Sequence, residues 1–204
     1  MYPPMELYKQ TTPYTCAAAS LMMAVQHFKP TYLLTRENEF EVWHQSATLP
    51  TRGSSIYGLA LVAHREGVPV RIFAEEPEYK FPGYRFKAYK KKEIEVADFS
   101  SHLLYEKVKK RGIPIAENDF TINDIKKSLS QKKVVVLRVI IGILRGTKFN
   151  KRNPHYIPIF AYENDQYTIM DPHDGKRVVP GEKLQEAFDA VKDCKRDHRM
   201  LVLG

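Results

Sequence analysis

Apolar positions change character along this chain near residue 131. Before it they recur at helical spacing in separate blocks, and after it they crowd into short β-branched runs. The first block, residues 13–28, is apolar almost all round, from Ala17 through Leu21, Met22 and Val25 to Phe28. Such a helix is buried on several sides, so other elements must wrap it. Thr12 suits its N-cap and Pro13 its first turn, where a missing N–H has no partner to lose. Residues 5–9 read as a short lead-in strand. Thr35 then caps a second helix with acid in its first turn and with Phe40 and Trp43 on one face. Ser55 caps a third, Ile56 to Arg65, which Gly67 ends, and the Pro, Gly and Ser of residues 49–55 form the loop between them. Residues 68–73 alternate as a strand. Asp98 to Arg111 and Ile122 to Gln131 are further amphipathic helices, the second capped by Thr121, with a short strand at Ile113 to Ala116.

In the second half, Val134 to Ile140 is a nearly unbroken β-branched run and reads as a buried strand. His155 to Tyr162 and Gln166 to Met170 are two strands joined by the turn Glu163-Asn164-Asp165. Arg177 to Val179 is a third strand, Gly181 to Val191 a helix and Met200 to Leu203 a closing strand. Helices first and a sheet second predict an α+β architecture. We expect one domain, 1–204, with a helical lobe over about 1–130 packed on a C-terminal antiparallel sheet lobe over about 131–204. Residues 75–95 break the pattern with Pro77, Pro82, Gly83, four aromatics and a lysine run, and are expected to shape the substrate or face a partner.

Composition narrows the function classes. Hydrophobic residues make up 43% of 204, enough for a real core and against wholesale disorder. The longest apolar runs are too short to cross a bilayer, and residues 1–6 lack the basic and apolar regions of a signal peptide. No membrane association is expected. Two cysteines, Cys16 and Cys194, make no disulfide framework, which points to a reducing cytoplasm. The charge of +8 gathers at Lys87 to Lys92, Lys107 to Arg111 and Lys148 to Arg152. Without a zinc-finger spacing or an aromatic RNA-binding motif, it reads as a solvated basic surface able to hold an acidic partner, and nucleic acid is not the expected target.

Cys16 carries the candidate chemistry. A thiol at a helix start meets the positive end of the dipole, which is expected to lower its pKa. It needs a base, and His155 heads a strand whose neighbour ends in Asp171-Pro172. Adjacent antiparallel strands bring such residues together, so Asp171 is expected to orient the imidazole. Gln10 supplies an amide donor for an oxyanion, and the Cys16 N–H a second. His155, Asp171, His173 and Asp174 are of metal-ligand type, but without helical His spacing or a C-x-x-C no metal or other cofactor is expected. Cys194 is read as incidental in its polar surroundings, and His173-Asp174-Gly175 as a strand-end turn.

Gln10 to Cys16 followed by small residues, His155, the Asp171-Pro172 pair, Glu41-Val42-Trp43 and Tyr57-Gly58-Leu59-Ala60 together resemble the bacteriocin-processing cysteine peptidases of family C39, in particular their free-standing members. The resemblance spans about residues 6–175. It implies a papain-like fold and a triad of nucleophile Cys16, base His155 and orienter Asp171, with Gln10 in the oxyanion hole. Ala17 departs from the glycine usual after the cysteine, and the membrane and ATP-binding domains of transporter-fused relatives are not in this sequence. Cleavage of double-glycine leaders during export is therefore not carried over. The expected activity is a thiol-dependent peptidase acting on peptide or peptide-like substrates. The alternatives are acyl or peptidyl transfer by the same triad, or a silent binding module with a basic surface.

Overall fold

The computed structural model describes residues 4–76, 89–147, 154–194 and 196–204. The chain runs α1 (Cys16–Phe28), α2 (Arg36–Ser46), α3 (Ile56–Arg65), β1 (Val70–Ala74), α4 (Lys91–Lys110), β2 (Ile115–Ala116), α5 (Ile122–Ser130), β3 (Val134–Ile140), α6 (Ile141–Arg145), β4 (Pro154–Glu163), β5 (Gln166–Asp171), β6 (Gly175–Pro180), α7 (Gly181–Asp193) and β7 (Arg199–Leu203). Most of the 75–95 excursion and the Lys148 to Arg152 cluster lie outside the described residues.

The strands form one seven-stranded sheet in the order β2-β1-β7-β3-β4-β5-β6. This corrects the expected division into lobes. β1 and β2 come from the first half of the chain, and they pair in parallel while every other neighbouring pair is antiparallel. The last strand, β7, lies in the middle and joins β1 to β3.

Strand alternation explains why both faces are covered. Val134 and Val136 of β3 pack with Leu21, Met22 and Leu59 of α1 and α3, while Val135, Leu137 and Val139 pack with Ile125 of α5 and Leu184 and Phe188 of α7. Every residue of β3 is buried, as the unbroken apolar run requires of a strand between two helical layers. β4 and β5 are joined at Asn164 and Asp165, both left-handed (φ 50° and 57°), the turn whose twist matches that of its strands.

Local signals account for most boundaries. The Thr35, Ser55 and Thr121 hydroxyls accept from the backbone N–H of Asn38, Tyr57 and Asn123. Gly58 sits where α3 crosses α2: a Cβ there would come within 2.5 Å of Ser46 Cα. Three expectations need correction. Residues 5–9 form no strand. α1 begins at Cys16 with Thr15 as N-cap, not at Pro13 behind Thr12. α4 begins at Lys91, seven residues before the expected Asp98, where Glu93 accepts the Lys90 N–H at 2.6 Å. Its first turn is charged and exposed, so no apolar stripe announces it. No helix among the described residues is long and apolar enough to cross a membrane.

Candidate active site

α1 brings Cys16 to the sheet. Ser20, one turn further on, is fully buried and donates to the Tyr156 carbonyl of β4 at 2.7 Å, which locks the helix against the strand that carries His155. Cys16 and His155 line one cavity of about 430 Å3 together with Tyr14, Tyr156 and the 51–54 loop.

The segment before Cys16 is tied down by a carboxylate that sequence reasoning missed. Glu39 of α2 is fully buried. It accepts from Tyr8 Oη at 3.0 Å, from Thr11 N at 2.9 Å and Thr11 Oγ1 at 2.6 Å, and from Thr15 Oγ1 at 2.5 Å. Hydrogen bonds to an ionised carboxylate are about twice as strong as neutral ones. Glu39 thus gathers residues 8, 11 and 15 around one point and sets the direction in which α1 starts. In the sequence it looks like an ordinary first-turn acid beside Glu37.

Gln10 lies on the same segment. Its backbone N–H donates to the Pro172 carbonyl at 2.8 Å, which joins this segment to the end of β5. Its Nε2 donates to the Thr12 carbonyl at 2.6 Å, and its Oε1 is buried with no hydrogen-bond partner among the described residues. One Nε2 hydrogen is therefore committed within the loop and the other is not.

Asp171 is fully buried at the end of β5. Its carboxylate accepts from Arg145 Nε at 2.7 Å, from Arg145 Nη2 at 2.6 Å and from His173 N at 2.9 Å. Arg145, the last residue of α6, also reaches Asp174 Oδ2 at 3.3 Å. The Asp171 oxygens thus hold Arg145 rather than the imidazole, although the Asp171 charge still acts on His155 and favours its protonated form. His155 Nδ1 is buried with no partner among the described residues. Burial and the Arg145 charge outweigh Asp171, and the His155 pKa falls to about 4, so the imidazole rests neutral.

The thiol departs from expectation. Burial pushes the Cys16 pKa up, outweighing the backbone N–H groups of Tyr156 and Ala17 that favour the thiolate. The helix start therefore does not produce a resting thiolate. Cys194 lies at the C-cap of α7 among Ile140 and Val191, away from this cavity. Among the described residues, no three His, Cys, Asp or Glu side chains gather as a metal site. Gly175, in the left-handed region at φ 97°, starts β6, so His173-Asp174-Gly175 is a strand-end turn.

A family profile described as Peptidase C39 like matches residues 5–192. No curated protein matches the chain. Among solved structures, a double glycine motif protease from an AMS/PCAT transporter, in complex with its leader peptide, shares 14% identity, with 99% of this chain and 93% of that one covered and a TM-score of 0.50. The peptidase domain of Streptococcus ComA, a bifunctional ABC transporter of a quorum-sensing pathway, shares 16%, with 98% of each chain covered and a TM-score of 0.51. A putative C39-like peptidase from Bacillus anthracis shares 11%, with 98% and 94% covered and a TM-score of 0.53. The α+β architecture is therefore the papain-like one of these peptidase domains.

Proposed function

This chain belongs to the peptidase C39-like family, and we propose on that premise that it is a cysteine peptidase that cleaves amide bonds in peptides or peptide-like molecules. The observation that carries the reading is the cavity shared by Cys16 and His155, with a buried imidazole nitrogen that has no partner of its own. Buried polar atoms are nearly always paired, and an orphan at the edge of a cleft is a group kept for exchange. The leader peptide held by one structural relative supports peptide as the substrate class.

The steps follow from the resting charges. With the thiol and imidazole both neutral, His155 accepts the Cys16 proton as sulfur attacks the substrate carbonyl. The oxyanion is bound by the Cys16 N–H at the free end of α1 and by the uncommitted hydrogen of Gln10 Nε2. Asp171, fixed in place by Arg145, supplies the negative charge that stabilises the imidazolium. His155 then protonates the leaving amine, the C–N bond breaks and a thioester remains on Cys16. Water, deprotonated by His155, attacks the thioester, releases the acid and returns the proton to the sulfur. A free thiol nucleophile fits a reducing compartment, and we place the protein in the cytoplasm.

The test is digestion of a peptide mixture followed by mass spectrometry. The intact protein cleaves, Cys16→Ala does not, and His155→Ala lowers turnover by about 10²- to 10⁴-fold. Cleavage that survives Cys16→Ala overturns the reading.

A further inference from the structure

The cavity at Cys16 adjoins a second hollow of about 200 Å3, and the two share a wall that includes Thr51, Ser54, Arg138, Tyr156 and Arg196. Beyond that wall the second hollow is lined by Arg199 and by the hydroxyl residues Thr48, Ser55 and Ser101. Among the described residues no Asp or Glu lines either hollow, while Arg52, Arg138, Arg196 and Arg199 do. A concave, partly buried surface with only cationic and hydroxyl donors favours an anion, because low polarity strengthens each charge interaction.

The arginines are also held in place. Arg138 Nη2 donates to Asp197 Oδ1 at 2.6 Å, and Arg199 Nε donates to Asp197 Oδ2 at 2.7 Å. Arg199 Nη2 donates to the Glu76 carbonyl at 2.7 Å, and its guanidinium lies 5.5 Å from the centre of the Tyr57 ring. Asp197 is buried outside both hollows. It therefore fixes two guanidinium groups without placing a negative charge on the walls. Arg196, next in the chain, lies on the wall common to both hollows. Burial presses its pKa down to about 10, a cost that a bound anion relieves.

We propose that this hollow is a specificity pocket for a carboxylate carried by the peptide substrate, gripped by Arg196 with Arg138 and Arg199 beside it, next to the carbonyl that Cys16 attacks. The inference rests on the peptidase reading and names the substrate class for that site. A guanidinium fork matches a carboxylate through two parallel hydrogen bonds, and the enclosed volume takes one side chain or chain end. The carboxylate has two sources, an acidic side chain beside the cleaved bond or the free C-terminus of a short substrate.

The experiment uses three matched peptides. One carries an internal Asp or Glu and an amidated end, one has neutral residues and a free C-terminal carboxylate, and one has neither. Cleavage by the full chain is followed alongside calorimetric binding to the Cys16→Ala protein, which needs no turnover. The first or the second peptide is expected to exceed the neutral one by about tenfold or more in kcat/KM, the value of a hydrogen bond to a charged group. Preference for the first identifies the side chain as the source, and preference for the second the chain end. Arg196 is half-buried, so Arg196→Gln is expected to leave the fold intact and remove the preference, and Arg196→Lys to restore part of it. Equal cleavage of all three peptides overturns the pocket and leaves the peptidase reading standing. Carboxylate-dependent binding that Arg196→Gln abolishes, with no cleavage of any peptide by the intact protein, overturns the peptidase reading and, with it, the pocket's role in choosing a substrate, and leaves a carboxylate-binding hollow. Absence of both binding and cleavage of the carboxylate peptides overturns the pocket.

Discussion

Arg145 grips both carboxylate oxygens of Asp171, through Nε at 2.7 Å and Nη2 at 2.6 Å, with both side chains almost wholly out of water. The pair fixes the end of β5 to α6 and sets the charge that His155 experiences. Removing Asp171 leaves the buried Arg145 with only its longer contact to Asp174, at a cost of up to about 3–5 kcal/mol. Asp171→Ala is expected to lower stability in denaturant by that order and Asp171→Asn by less, because the amide oxygen still accepts one bond.

The same pair gives a pH dependence with a definite sign. Arg145 and the His173 N–H hold the Asp171 carboxyl below its ordinary range, against burial that acts the other way. The unfolded chain, with a carboxyl near about 3.9, binds that proton first as pH falls. The stabilisation is full above that value and is lost below it, as the pH drops through the lower folded pKa. Acid titration of the unfolding midpoint is expected to fall more steeply in the intact protein than in Asp171→Asn between about pH 4 and pH 2.

Cys16 and His155 rest neutral, so the alkylation profile of the thiol differs from that of a thiolate–imidazolium pair. With iodoacetamide, the Cys16 rate is expected to keep climbing through and beyond about pH 8.5, the free-cysteine value, since burial raises its pKa. A plateau extending down to about pH 5 marks a preformed ion pair and contradicts the resting state described above.

Glu39 is a positioning residue: it touches no reacting atom, and it holds Thr11 and Thr15 on either side of the turn into α1. Glu39→Gln preserves shape but puts a donor where acceptors are needed. A displacement of the nucleophile by about 1 Å costs on the order of a hundredfold in rate, and kcat is expected to fall by about that factor with KM little changed. Unaltered kcat in a folded Glu39→Gln protein contradicts the role.

Gly58→Ala tests the contact between α2 and α3. The added methyl meets Ser46 Cα at 2.5 Å and the Gln45 carbonyl oxygen at 2.9 Å, both backbone atoms. An overpacking loss of about 1–3 kcal/mol is expected in thermal or denaturant unfolding.

What was legible in the sequence was local. The Thr35, Ser55 and Thr121 caps read true because a side chain two or three residues away meets the backbone it must satisfy. The Val134 to Ile140 strand read true because its burial on both faces is written into its composition. The cap of α1 falls at Thr15 and not at the Thr12 that local signals suggest, and the Thr15 hydroxyl bonds Glu39, 24 residues away, which no local signal contains. α6 was hidden because Ile140 and Ile141 continue one apolar run across a strand-to-helix switch, and Arg145 was hidden with it. Cys16, His155, Asp171 and Gln10 could be nominated from residue type and order. The Arg145 grip on Asp171, the neutral thiol and the arginine-lined hollow depend on contacts between distant segments, which no window of sequence contains.

The central place of β7 bears on how the molecule comes together. Val70 to Ala74 and Val134 to Leu137 both register against residues 199–203 and not against each other. Until that strand is synthesised and docked, β1 with β2 and β3 with its partners are two separate half-sheets, each with an open edge of unpaired backbone groups. The pairings that close the gap span 60 or more residues, so the sheet is completed last and slowly. A chain ending before Arg199 would keep α1 and Cys16 but lose the strand that unites the two half-sheets. It would also lose Arg199, one of the two guanidinium groups that Asp197 holds beside the cavity.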